Sequence, residues 1–225
     1  MDRAFRMLGS ATDLLVRALA IQGIWVLGTL AGGIVLGWAP ATTAAVDAAA
    51  RAAHGEPIRL SRAARAWTEG FWRSQVTLGV PGLLLLIALV TISSGLLPAP
   101  ALIAVGLLAT LLVVTLGHIP EVDRRHALRT AEVFGAALRL ALAQAPTSLL
   151  LLAVLALCAG ALVAVPGLIP FLGVAVPLLA TQHLVGRSLD RNEDLLAAAE
   201  ADPDPPPPHR GRRGDRPVGP VSLAP

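Results

Sequence analysis

The residues best placed to do chemistry in this chain are the polar ones inside its apolar runs, Gln22, His118, Gln182 and His183. A polar side chain in hydrocarbon is costly, so it marks a substrate path, a proton relay or a hydrogen bond between helices. Gln22 falls about 12 Å into the first run at 1.5 Å per helical residue. His118 closes the third run just before Pro120, and Gln182 and His183 follow Pro177 near the end of the last. No Asp, Glu or Arg lies deep in a run, which removes the partners that a proton relay or ion-coupled carrier uses. The four are therefore read first as interhelical or interfacial hydrogen-bonding groups and second as a polar path.

A second cluster, His118-Ile119-Pro120-Glu121-Val122-Asp123-Arg124-Arg125-His126, brings two histidines and two carboxylates together. It lacks the H-E-x-x-H spacing that puts ligands on one helical face, and its two arginines oppose a cation. It reads as a solvated linker. The chain has no G-x-S-x-G elbow, no phosphate-cradling glycine loop and no pair of carboxylates beside a pocket-forming span. No catalytic residue, metal or cofactor is assigned, and an enzyme is not expected.

The elements that hold these residues follow from charge. Of 225 residues, 55% are hydrophobic and only 15% charged. No Asp, Glu, Lys or Arg occurs from Ala18 to Val46, from Ser74 to Gly117, or from Leu140 to Gly186. Soluble helices need a polar face, whereas an uncharged apolar run of about 20 residues suits a membrane span. A water-soluble enzyme and a nucleic-acid-binding domain are excluded, despite a pI near 10.8. The expected fold is an all-α polytopic membrane bundle of five transmembrane helices, with amphipathic interfacial helices on the cytoplasmic side.

Proline divides the runs, because it removes a donor and clashes with the preceding turn. The spans fall at about 14–38, 75–96, 101–117, 146–165 and 169–185, with kinks expected at Pro81-Gly82 and Pro177. The first stretch exceeds the usual signal-peptide core, so it is read as a retained helix although Ala39-Pro40-Ala41 resembles a cleavage site. Interfacial helices are expected at about 43–54, 61–73 and 125–144, which completes a membrane domain at 1–201. The second sets Leu60, Ala64, Trp67 and Phe71 against Arg62, Arg65, Glu69 and Arg73. The third sets Leu128, Ala131, Leu138 and Leu142 against Arg125, Arg129, Glu132 and Arg139. Trp67, Phe71 and Trp72 suit an interfacial anchor. Segment 202–225, rich in Pro and Arg, reads as a disordered cytoplasmic tail.

All 18 basic residues are Arg. Their bias toward 39–74, 118–145 and the C-terminal segment puts those on the cytoplasmic side, with the N-terminus outside and the C-terminus inside. Gly28/Gly32 and Gly33/Gly37 form small-xxx-small patterns, read as packing within the bundle ahead of a homodimer seam.

Gly37-Trp38-Ala39-Pro40-Ala41-Thr42-Thr43-Ala44-Ala45 and Trp67-Thr68-Glu69-Gly70-Phe71-Trp72-Arg73-Ser74 carry a resemblance. With five spans, the His118-Ile119-Pro120 junction and a Pro146 start to the fourth span, the chain resembles the YesL-like family of bacterial integral membrane proteins (domain of unknown function 624). The resemblance implies a plasma-membrane protein and a link to carbohydrate transport, and it carries over no catalytic residue. The expected function is non-enzymatic, an accessory or regulatory partner of a transport system. Its contacts are the lipid bilayer and a transporter component, presented with Trp67, Phe71, Trp72 and the arginines of the interfacial helices. A small permease or channel, with a path past Gln22, His118, Gln182 and His183, is the alternative.

Overall fold

The computed structural model describes residues 2–126 and 128–201, all of whose regular elements are helical. The tail 202–225 lies outside the described residues. Four helical stretches are long and apolar enough to cross a membrane: Thr12–Ala31, Phe71–Ser93, Ala99–Arg125 and Ala145–Ala164. A bent pair, Pro166–Leu172 with Ala175–Arg191, makes a fifth when counted as one span. The chain is thus a polytopic helical bundle. Residues 190–225 form a separate unit, of which the described part is helical to Ala201.

The first span differs from its expected bounds. Helix α1 (Asp2–Ala31) stops seven residues short of Trp38, because Gly33 takes a left-handed φ of 67° and Ile34 follows at 61°. The amide of Gly33 reaches Leu30 O at 3.1 Å and that of Ile34 reaches Thr29 O at 2.9 Å, the paired bonds of a glycine-capped helix end. Gly37 then approaches the backbone of Thr29 so closely that a Cβ has no room. Gly32, Gly33 and Gly37 therefore build a chain reversal, and only Gly28 serves helix packing, against Ala41 and Trp67.

Reversal sends α2 (Trp38–Ala53) back along α1. Arg17 Nη1 donates to Ala52 O at 3.1 Å, and Trp25 Nε1 donates to Thr42 Oγ1 at 3.0 Å. The expected interfacial helix 43–54 is thus a buried helix of the core, and Ala52 lies beside Arg17 rather than at the opposite end of the first span. Alanine explains the difference: small side chains let two helices approach closely, and this matters more in α2 than its Asp47/Arg51 polar edge. The next helix, α3 (Leu60–Glu69), turns again and returns Trp67 to Gly28. The excursion is closed, and Gln75 Nε2 donates to Leu36 O where α1 ended.

A short helix α4 (Phe71–Ser74) runs through a π-helical turn, Gln75–Gly79, into α5 (Val80–Ser93). Pro81 has no N–H for the carbonyl four residues earlier, and the wider turn, in which Val80 N–H donates to Gln75 O, takes up that loss. Helix α6 (Ala99–Arg125) extends beyond the expected third span, through Pro120. The expected solvated linker is instead its buried last turns, with His118, Ile119, Glu121 and Val122 between 0 and 4% exposed. Packing against α7 (Thr130–Ala143) buries them, through Val133 and Ala137. Helix α8 (Ala145–Ala164) matches the fourth expected span within a residue at each end. The last span breaks before Pro177: α9 (Ile169–Leu172) meets α10 (Ala175–Ala201) at a bend of 61°.

Both remaining amphipathic helices are rotated from their expected faces. Helix α3 buries Ala63 and half-buries Ala66 and Trp67, leaving Leu60 and Ala64 exposed. Helix α7 buries Val133, Ala137 and Ala141 and exposes Ala131 and Leu142. In both, small residues face the bundle, where helix axes come close, and bulkier ones face out.

Candidate functional site

The break between α9 and α10 exposes helix-start amides inside the bundle. Discontinuous helices often use such amides to hold an anionic ligand. Here Gln22, 4% exposed, fills the place itself: its Oε1 accepts from Val174 N–H at 3.0 Å and Ala175 N–H at 2.9 Å. A neutral amide oxygen from α1 thus caps the broken span.

The other three polar residues do not gather around it. Gln182 Nε2 donates to Val46 O at 2.7 Å and ties α10 to α2. His118, fully buried, pairs Nδ1 with Val114 O at 2.9 Å, and its Nε2 has no hydrogen-bond partner among the described residues. His183 is exposed on the outer side of α10. The expected polar path through these four is not assembled, because two of them satisfy backbone groups of neighbouring elements, one binds within its own helix and one faces outward.

Charge instead collects at one end of the bundle. Arg73 pairs with Asp123 and also donates to Leu128 O at 2.9 Å, linking α4, α6 and the start of α7. Glu121, its side chain 5% exposed, accepts from Arg124 Nε at 3.1 Å and Arg125 Nε at 2.6 Å. Arg125 reaches on to Gly186 O at 3.3 Å. Expected as part of a partner surface, Arg125 is a tether between α6 and α10. Glu121, Asp123 and Arg73 were not singled out as site residues. The i, i+3 and i, i+4 placement of Glu121 against Arg124 and Arg125 was the available signal.

Beside this layer lies a chamber of about 320 Å³, walled by α2, the π turn, α5, α6, α8 and α10. Leu85, Val113 and Leu155 form one part of its wall, and Glu121, Thr181 and Gln182 supply its polar groups. Outside the bundle, Arg62, Arg65, Arg129 and Arg139 are exposed, as is Trp72 at 79%. Phe71 sits between Trp67 and Trp72 with ring centroids 5.2 and 5.3 Å away. The aromatic trio is split in role: Trp67 packs inward on Gly28, and Trp72 faces out.

Apolar exteriors on several long helices, polar groups satisfied inside and charges gathered at one end define a multi-pass helical membrane protein. Residues 19–92 match the family model described as Protein of unknown function, DUF624, the family that the sequence resembles. The match runs from α1 into α5 and takes in both Trp-containing elements. No curated protein and no solved structure matches the chain.

Proposed function

We propose that the chain is a plasma-membrane protein that acts without catalysis, as an accessory or regulatory partner of a transport system. Carbohydrate uptake is the system that family resemblance suggests. One observation carries the reading: Gln22 and Gln182 are committed to backbone groups inside the bundle, while Trp72, Arg65, Arg129 and Arg139 stand free at its surface. A translocation path needs polar groups able to exchange partners, whereas a docking surface needs exposed aromatics and arginines.

The reading places the ends of α4 and α6 in the cytoplasm, with the N-terminus outside. Return of α2 along α1 moves Arg51, Arg59 and Arg62 away from that side, and the arginine bias keeps its sign without them. A phosphatase fused after Pro98 is expected to be active and one fused after Arg125 inactive; the opposite pair of results inverts the orientation.

Capture in mild detergent tests the function. A transporter subunit is expected to co-purify, and Trp72→Ala combined with Arg65→Ala to release it. Purification alone, with solute uptake unchanged on gene deletion, removes the proposal. The chamber beside Gln182 favours the permease as a second reading. Flux of a candidate solute into reconstituted vesicles, lost in Gln182→Ala, supports it.

A further inference from the structure

The chamber is built for a ligand of two characters. Along α6 its wall runs from Val113 to Glu121, about 12 Å at 1.5 Å per residue. The Val113 end is hydrocarbon, shared with Leu85 of α5 and Leu155 of α8, all half-buried. Those helices carry exposed leucines next to this wall, Leu84 and Leu86 on α5 and Leu157 on α8. The apolar end therefore adjoins the lipid-facing exterior.

The Glu121 end is polar and rich in acceptors. Glu121 is the one ionisable side chain lining the chamber among the described residues. A carboxylate offers about four acceptor positions. Arg124 and Arg125 both bind Oε1, and Oε2 takes only the 3.1 Å bond from Arg124 Nε, so acceptor capacity remains there. Thr181 Oγ1 donates to Pro177 O at 2.7 Å, which leaves its lone pairs for an incoming donor.

Charge selects the head group. An anionic head meets the Glu121 carboxylate. A cationic head meets a carboxylate already neutralised by two guanidiniums, and adds to their excess of positive charge. A neutral head bearing hydroxyl donors satisfies the open acceptors without either penalty. We propose that the chamber binds a membrane-derived, single-chain amphiphile with an uncharged hydroxyl head, its chain along Val113, Leu85 and Leu155 and its hydroxyls on Glu121 and Thr181. A volume of about 320 Å³ falls within the range of small-molecule pockets. The site stands whether or not the protein serves a transporter.

The test uses the full-length protein in detergent with a monoacylglycerol carrying a photoreactive group in its chain, and maps the adducts by mass spectrometry. Adducts are expected on Leu85, Val113 and Leu155, suppressed by excess monoacylglycerol but not by the matching fatty acid or alkylamine. Leu155→Trp fills the apolar end and is expected to cut these adducts by about tenfold, a loss near 1.4 kcal/mol. Glu121→Gln is expected to abolish the preference for the hydroxyl head. Equal competition by fatty acid or amine overturns the head assignment. Adducts scattered over the exposed flanks of α5 and α8, uncompeted by any amphiphile, overturn the site, and this readout on the unaltered protein does not depend on either variant folding.

Discussion

Helices α2 and α8 are both nearly free of charge, yet they live in opposite surroundings. Of the sixteen residues of α2, nine are buried, and seven of those are Ala or Pro40's neighbours in an alanine-rich face. Of the twenty in α8, only Ser148 and Leu151 are buried, while Leu149, Leu157 and Val163 are 67, 74 and 79% exposed. Hydropathy does not separate the two, and side-chain size does. Where lipid is as apolar as leucine, no hydrophobic force draws leucine inward, and helices associate through close contact over small residues. In this chain alanine marks the interior and leucine the lipid face.

The largest expected effect tests that rule directly. Ala45, fully buried between α1 and α2, has no space for a larger group. Ala45→Leu is expected to cost about 3 kcal/mol, the upper end for overpacking, and to lower the thermal midpoint in detergent sharply. Leu157→Ala removes more atoms and is expected to stay within about 0.5 kcal/mol of the parent, because its side chain faces out. Equal effects of the two substitutions would end the comparison.

Gln22→Leu comes next. It keeps the volume of an apolar span residue but leaves Val174 and Ala175 N–H without their acceptor, at about 2 kcal/mol for a buried unsatisfied donor. Hydrogen exchange is the measurement: those two amides are expected to lose protection while α8 keeps its own. Gln22→Glu retains an oxygen at the site and is expected to recover part of the protection. If Gln22→Leu leaves both amides protected, the break in the last span is held by other contacts.

How much of this was legible follows from the same physics. The long uncharged runs gave the helical bundle and its spans, because a requirement spread over some twenty residues survives small errors of phase. The reversal at Gly32–Gly37 was not read, although Gly33 is well suited to a left-handed helix cap. Two glycine pairs spaced four apart fit a packing seam equally well, and nothing local chooses between a cap and a seam. The inward faces of α3 and α7 were misplaced for the reason that α2 was: periodicity was followed through Leu60, Leu138 and Leu142, while Ala63, Ala137 and Ala141 were the residues making contact. Gln22 was legible as a polar residue in a span. Its partner was not, since Val174 and Ala175 are brought to it only by the tertiary fold.

The smallest effect concerns the charged end of the bundle. Arg73 and Asp123 join elements separated by 50 residues, but their side chains remain 39 and 18% exposed. Solvent screening therefore limits the pair to about 1 kcal/mol. Asp123→Asn is expected to cost that or less, since Arg73 keeps its bond to Leu128 O and the amide still accepts one hydrogen bond. Arg73→Ala removes both bonds and frees the start of α7, so it is expected to cost more than Asp123→Asn. A double-mutant cycle at low and high salt separates the contributions: coupling between Arg73 and Asp123 is expected to shrink with salt, while the extra cost of Arg73→Ala persists. Coupling that is insensitive to salt would mean that the pair behaves as a buried one, and that close packing governs this end of the bundle as it governs α2.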